Sequence, residues 1–150
     1  MTPTFIVNVE VVIHHKDRYL MTLRSLNEAH AGGTYAFPGG KVEQHEIMQD
    51  VLEHVARREV REEVGLEVGP LTYLEANSFL AGDLPCINVV MMAPYLSGKV
   101  QVQEEELSAA EWLTLEEALS RKETPIWTRN SLKKAAQKRA ELESEPHAIR

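Results

Sequence analysis

Glu59, Glu62 and Glu63 stand at i, i+3 and i+4 in the run Arg58-Glu59-Val60-Arg61-Glu62-Glu63-Val64. Wound into a helix, they fall on one arc of roughly 100°. Three like charges on one arc repel each other, and no lysine shares the arc to offset them. Arg58 and Arg61 flank it and take up part of the charge. A divalent cation meets the same need, because Mg²⁺ prefers carboxylate oxygens and shares its shell with substrate phosphates. Such a helix is also a common solvated surface, so the run alone leaves both readings open.

The residues ahead of the helix narrow the choice. Pro38-Gly39-Gly40 precedes it, and glycines let a backbone approach a ligand closely and turn a carbonyl toward a metal. The whole stretch from Gly39 to Leu66, GGKVEQHEIMQDVLEHVARREVREEVGL, resembles the Nudix box, G-x5-E-x7-R-E-U-x-E-E-x-G-U with U a bulky aliphatic residue. Gly40 matches the opening glycine and Glu46 the next glutamate. Arg58, Glu59, Val60, Glu62, Glu63, Gly65 and Leu66 match the closing half. Between Glu46 and Arg58 lie eleven residues, four more than the pattern has. Counting back from Arg58 sets the expected acid at Asp50. Either the extra residues lengthen the loop and Asp50 replaces the glutamate, or Glu46 keeps the position from a longer or displaced helix. The first is preferred, because Asp50-x-x-Glu53 reads as a helix cap with its capping-box partner. In the family this acid is mainly structural and pairs with the box arginine.

The resemblance extends over about residues 4 to 120 and implies a fold and a chemistry. The fold is α/β, a Nudix-like α/β/α sandwich with a mixed sheet and a central catalytic helix. The chemistry is metal-dependent hydrolysis of a diphosphate linkage in a nucleoside diphosphate derivative, of the nucleoside triphosphate or nucleotide-sugar type. Mg²⁺ (or Mn²⁺) is the implied cofactor, held by Glu59, Glu62, Glu63 and the Gly39 carbonyl, and those glutamates are also the implied catalytic set, with the base left open among them. Glu106, six residues before Trp112, is the implied downstream catalytic glutamate, with Glu105 next. Its segment reads as a mobile loop whose carboxylate sits away from the site until substrate closes it. A non-catalytic Nudix-fold nucleotide sensor is the rival reading, and the intact box glutamates argue against it.

Weaker candidates concern the substrate. Arg24, at the end of a strand, offers a planar fork to a phosphate, and Lys41 follows the two glycines. Phe79 and Tyr35 have rings that stack on a base, whereas Phe37 reads as core. The six histidines show no metal-ligand spacing, and His45 and His54 read as exposed.

These residues need a scaffold, which the apolar pattern supplies. Thr4 to His14 and Tyr19 to Leu23 read as strands around an Asp17-Arg18 turn, and Ser25 to Thr34 as a loop. Residues 44 to 49 read as loop, with a helix from near Asp50 whose stripe is Val51, Leu52, Val55, Ala56, Val60 and Val64 and whose stop is Gly65. Leu71 to Leu80 and Ile87 to Tyr95 read as strands around a turn from Ala81 to Pro85, and Glu111 to Leu113 as a short one. Thr114 caps a helix with Glu117 as its partner. Trp127 to about Glu143 reads as a final helix. The tail from Ser144 to Arg150 is patternless and is expected to be mobile.

Composition sets the outer limits. The 150 residues, 43% hydrophobic and 26% charged, suit a single domain spanning 1–150. The net charge of −7 disfavours a nucleic acid polymer as partner, since such binding rests on clustered Lys and Arg. No apolar run approaches the roughly 20 residues of a membrane span. The start lacks a secretory pattern, and the sole cysteine, Cys86, excludes an internal disulfide. The expected setting is cytoplasmic, the partner a small nucleotide-like diphosphate, and a homodimer is compatible with the sequence.

Overall fold

Strand β1 (Ile6–His15) organises the molecule because its side chains alternate between two cores. In the computed structural model, which describes residues 1–28 and 31–144, Val9, Val11 and Ile13 point into one buried cluster and Val12 into the other. This is the period-2 pattern of a strand covered on both faces. β1 runs parallel to β7 (Leu84–Gly98), with partners from Ile6↔Cys86 to His14↔Pro94. All other pairs are antiparallel. β2 (Arg18–Arg24) pairs β1 at its far end, and β3 (Tyr35–Ala36) and β8 (Leu107–Thr114) pair β2. β4 (Gly39–Lys41) takes the same edge of β1 nearer its start, through Asn8↔Lys41, Val9↔Gly40 and Glu10↔Gly39. β5 (Leu66–Val68) and β6 (Thr72–Ala81) share the outer edge of β7.

Helix α1 (Val51–Val64) covers one face of this mixed sheet and buries Val55, Ala56, Val60 and Val64 against Val9, Val11 and Ile13. Each fully buried aliphatic side chain contributes roughly 1.5–3 kcal/mol. α2 (Leu115–Ser120) and α3 (Ile126–Ser144) cover the other, with Ala118, Leu132 and Ala135 on Val12, Val90 and Met92. The expected α/β sandwich with a mixed sheet is therefore present. Thr114 accepts from the Glu117 amide in a complete capping box, as read from the sequence.

Several local expectations need correcting. The β1–β2 turn sits at Lys16 and Asp17, one residue earlier than Asp17-Arg18, with Lys16 at φ 56° and His15 paired to Arg18. The β8 strand begins at Leu107 rather than near Glu111. β4 and β5 have no counterpart in the sequence reading. The expectation for the tail lies outside the described residues from 145 onward.

Candidate active site

α1 begins at Val51 after a loop over 44–49, as its stripe predicts, but Asp50 does not cap it. Asp50 sits in the left-handed region at φ 54° and ψ 40°, and its side chain makes no cap hydrogen bond. Nor does Asp50 take the box position. Glu46 does: Arg58 donates from Nε to Glu46 Oε2 and from Nη2 to Glu46 Oε1, both at 2.8 Å. The preference for Asp50 is thus overturned. The local signal for a cap was present, but a buried carboxylate and a guanidinium satisfy each other better than a solvent-facing cap does. The four extra residues stay in the loop, and Glu46 reaches Arg58 from before it.

Glu46 is buried at 3% exposure and also accepts from the Glu43 amide. The Arg58 hydrogen bonds hold its carboxyl well down, to about 2. Arg58 uses its remaining N–H groups on the site itself. Nη1 reaches Glu59 Oε2 at 2.8 Å and Glu62 Oε1 at 3.2 Å, and Nη2 donates to the Lys41 carbonyl at 3.1 Å. Arg61, expected to share the charge of the arc, pairs instead with Glu67.

The three box glutamates therefore do not stand alike. Glu59 lies against Gly40, whose missing Cβ is the space its carboxylate fills. Burial pushes the Glu59 carboxyl up. Glu63 is the most enclosed, at 6% exposure, and its Oε1 accepts from the Gly39 amide at 3.0 Å. Glu62 was expected in the same cleft, but it is turned outward onto Arg58 with half its side chain exposed.

Glu106 is where the sequence reading erred most usefully. Its segment is strapped to the helix end and to the loop after β2. The Gln103 amide donates to the Glu63 carbonyl at 2.9 Å, and the Ser25 amide donates to the Glu106 carbonyl at 2.9 Å. The Glu106 side chain hydrogen-bonds the Glu63 carboxyl. It is in the site with no ligand bound, not withdrawn from it. Glu105 and Glu104 are exposed. Two carboxyls in contact share one proton, so burial and the Glu106 contact push the Glu63 carboxyl far up.

The donor chemistry of Glu59, Glu63 and Glu106 suits a hard divalent cation: all donors are oxygens, and a like-charged buried set holds together only with a proton or a cation between its members. Among the described residues no three acidic, His or Cys side chains already converge on one point. Arg58 holds Glu59 and Glu62 on its own side, and Glu63 faces Gly39 and Glu106.

The candidate substrate residues are spread around this centre. Arg24 pairs with Glu28 at 3.1 Å. Lys41 lies on β4 in register with Asn8, and Phe79 on β6 in register with Cys86. Tyr35 and Phe37 are buried, as expected of Phe37 and not of a stacking Tyr35. The sequence reading missed Asn8, Glu10 and Asn88, which hydrogen-bond one another beside β4. Their signal was polar residues at alternate positions inside the apolar run of β1.

A family model for the NUDIX domain matches residues 4–135. Over 87 residues, 56% of this chain, the sequence is 36% identical to the NAD-capped RNA hydrolase NudC of Pseudomonas aeruginosa, of which it covers 28%. Over 112 residues, 73% of this chain, it is 29% identical to Nudix hydrolase 2 of Arabidopsis thaliana, of which it covers 38%. The chain thus spans well under half the length of these curated relatives. Among solved structures, the MutT NUDIX hydrolase of Burkholderia pseudomallei superposes with a TM-score of 0.74 at 25% identity, covering 87% of this chain and 98% of that one.

Proposed function

The chain belongs to the Nudix family, and from that membership we propose that it hydrolyses a diphosphate linkage in a small nucleoside diphosphate derivative, with Mg²⁺ or Mn²⁺ as cofactor. The observation that carries this reading is the Glu63–Glu106 carboxyl pair at the Gly39 amide, with Glu59 packed on Gly40 beside it. Glu59, Glu63 and Glu106, with Glu62 swinging in from Arg58 and the Gly39 carbonyl, would hold the cation. Bound there, it supplies countercharge for the diphosphate and acidifies water.

The chain's own residues do the rest. Lys41 and Arg24 meet the phosphate oxygens and fix the diphosphate against the β4 edge. A new oxygen–phosphorus bond forms from water as the bridging phosphorus–oxygen bond breaks, and the water proton passes to a carboxylate of the Glu59, Glu63 and Glu106 set. Arg58, held by Glu46, keeps Glu59 from drifting and so positions rather than reacts. The setting inside the cytoplasm and a small-molecule partner belong to the same reading.

A screen of nucleoside triphosphates, nucleotide sugars and dinucleotides with Mg²⁺ tests it directly. The expected result is release of a nucleoside monophosphate together with a second phosphate-bearing product, abolished by a chelator. Nucleotide binding without any turnover across the screen would replace hydrolysis with the sensor reading.

A further inference from the structure

The register of the sheet sets three asparagine side chains in one line. Asn88 is the partner of Asn8 across the parallel β1–β7 pair and of Asn77 across the antiparallel β6–β7 pair. All three lie on the face that carries Val12, Val90 and Met92, and Lys41 extends the line through its pairing with Asn8. One step along the strands on the same face come Glu10, Val90 and Glu75, and one step the other way come Ile6, Cys86 and Phe79. α3 closes over Glu75, which accepts from Ser131 Oγ at 2.6 Å and pairs with Lys134. The helix does not cover the asparagines: Asn8 and Asn88 are half-buried, and Asn77 and Phe79 are exposed.

Such a line is unusual inside a sheet, where this face is otherwise apolar, and its hydrogen bonds run in one sense. Asn8 Nδ2 donates to Asn88 Oδ1 at 2.7 Å, and Asn88 Nδ2 donates to Glu10 Oε1 at 2.8 Å. Glu10 also accepts from the Phe37 amide, and burial pushes its carboxyl up. The chain is therefore anchored at Glu10, and its amides are fixed rather than free to rotate. Each amide still has unused capacity, since an asparagine offers two donor hydrogens and two acceptor positions. Among the described residues, none hydrogen-bonds the Asn77 side chain. The line thus presents oriented donors and acceptors, without net charge, on a flat floor that begins at β4. On β4, Gly39 and Gly40 touch the glutamates on the opposite side.

We propose that Asn8, Asn88 and Asn77 form a floor that reads the donor–acceptor edge of a nucleobase while the attached diphosphate passes around β4 to Glu59, Glu63 and Glu106. This rests on the hydrolase reading for the position of the diphosphate, but not for the base itself. Fixed amides reject a wrong edge strongly, because a mismatch leaves buried polar groups unpaired. Phe79, at the outer end of the floor, offers a ring to the base.

Equilibrium binding of the four common nucleoside monophosphates and of ribose 5-phosphate, by calorimetry in metal-free buffer, tests the floor without turnover. The wild-type chain should bind one base at least about tenfold more tightly than the weakest of the four, and ribose 5-phosphate more weakly still. Asn77→Ala, on the exposed end, and Asn88→Asp, which reverses one donor, should each shrink the difference among bases to within about threefold, with circular dichroism checking the fold. Ribose 5-phosphate binding as tightly as the nucleotides, no base preference in the wild type, or an unchanged preference in both variants would overturn the proposal. A chain that discriminates bases but hydrolyses nothing keeps the floor and loses the hydrolase. A chain that hydrolyses every diphosphate alike does the reverse.

Discussion

Arg58 grips Glu46 through two parallel hydrogen bonds of 2.8 Å, from one turn inside α1 to a carboxylate that precedes the helix loop. The same guanidinium holds Glu59 and Glu62, so a structural pair and the chemical cluster share one cation.

Glu46→Ala leaves that cation partly buried without its main partner, and should destabilise the fold by about 3–5 kcal/mol. Asp50→Gly, by contrast, removes a side chain that caps nothing and relieves a left-handed backbone at φ 54°, for a gain of roughly 0.5–1 kcal/mol. Urea unfolding of the two variants measures the contrast. Equal losses would return the box position to Asp50.

The two glycines before the helix should respond differently to alanine. A Cβ at Gly39 meets the Val9 backbone carbonyl, which the sheet cannot move, whereas a Cβ at Gly40 meets only the Glu59 carboxylate. Gly39→Ala should cost about 1–3 kcal/mol of stability. Gly40→Ala should fold nearly normally and lose metal affinity as Glu59 is displaced. Thermal shifts read with and without Mg²⁺ separate the effects.

Glu63→Gln keeps the shape and the Gly39 contact while removing a charge. Turnover should fall by about 100- to 1000-fold. Mg²⁺, which should raise the midpoint of the wild type by binding only the folded chain, should no longer do so. A normal rate in this variant would remove Glu63 from the site.

Glu106→Gln should lower kcat far more than it raises KM, because the group touches Glu63 rather than the bulk of the substrate. Glu105→Gln, on an exposed side chain, should be mild. Steady-state kinetics on both variants decide the ranking, and the reverse order would transfer the role to Glu105.

Acid should unfold the protein in two stages. Burial, with Arg139 and His15 nearby, pushes the His14 imidazole down to about 4 from an ordinary 6.5. The folded chain therefore binds fewer protons than the unfolded one between these values, and stability is full above 6.5 and falls as pH drops toward 4. Glu46, held down to about 2 from 4.5 by Arg58, adds a second loss from 4.5 downward by the same sign. His14→Asn should flatten the upper stage alone, as followed by thermal midpoints from pH 8 to pH 3.

The central helix was legible because Val55, Ala56, Val60 and Val64 recur at its own period and Gly65 stops it with a left-handed φ of 72°. The closing glutamates were legible because their spacing is a property of one helix. What the sequence hid depends on distant partners. Asp50 carries the local marks of a cap, and only the fold reveals that Arg58 turns to Glu46 instead. β4 is three residues long and contains two glycines, so nothing in its composition announces a strand; it exists because the start of β1 leaves an open edge. The contact of Glu106 with Glu63 depends on backbone bonds to Ser25 and Gln103, residues without any pattern of their own. The asparagine line was invisible because its members lie on three strands, and residues 8 and 88 are 80 positions apart.

That last separation governs how the chain must assemble. β1 and β7 are the middle of the sheet, yet every partner in their ladder is 80 residues away. Hairpins such as β6–β7 close at once, whereas this parallel pair must first overcome the entropy of a long loop, and such non-local pairing slows folding. During synthesis β1 waits without its neighbour until Pro94 has emerged, and β4, which leans on β1, waits with it. The glutamates of α1 can be helical long before Gly39 and Gly40 arrive beneath them. A chain halted before Tyr95 therefore has its reactive helix but no surface to hold it against, and chemistry is among the last properties the folding protein acquires.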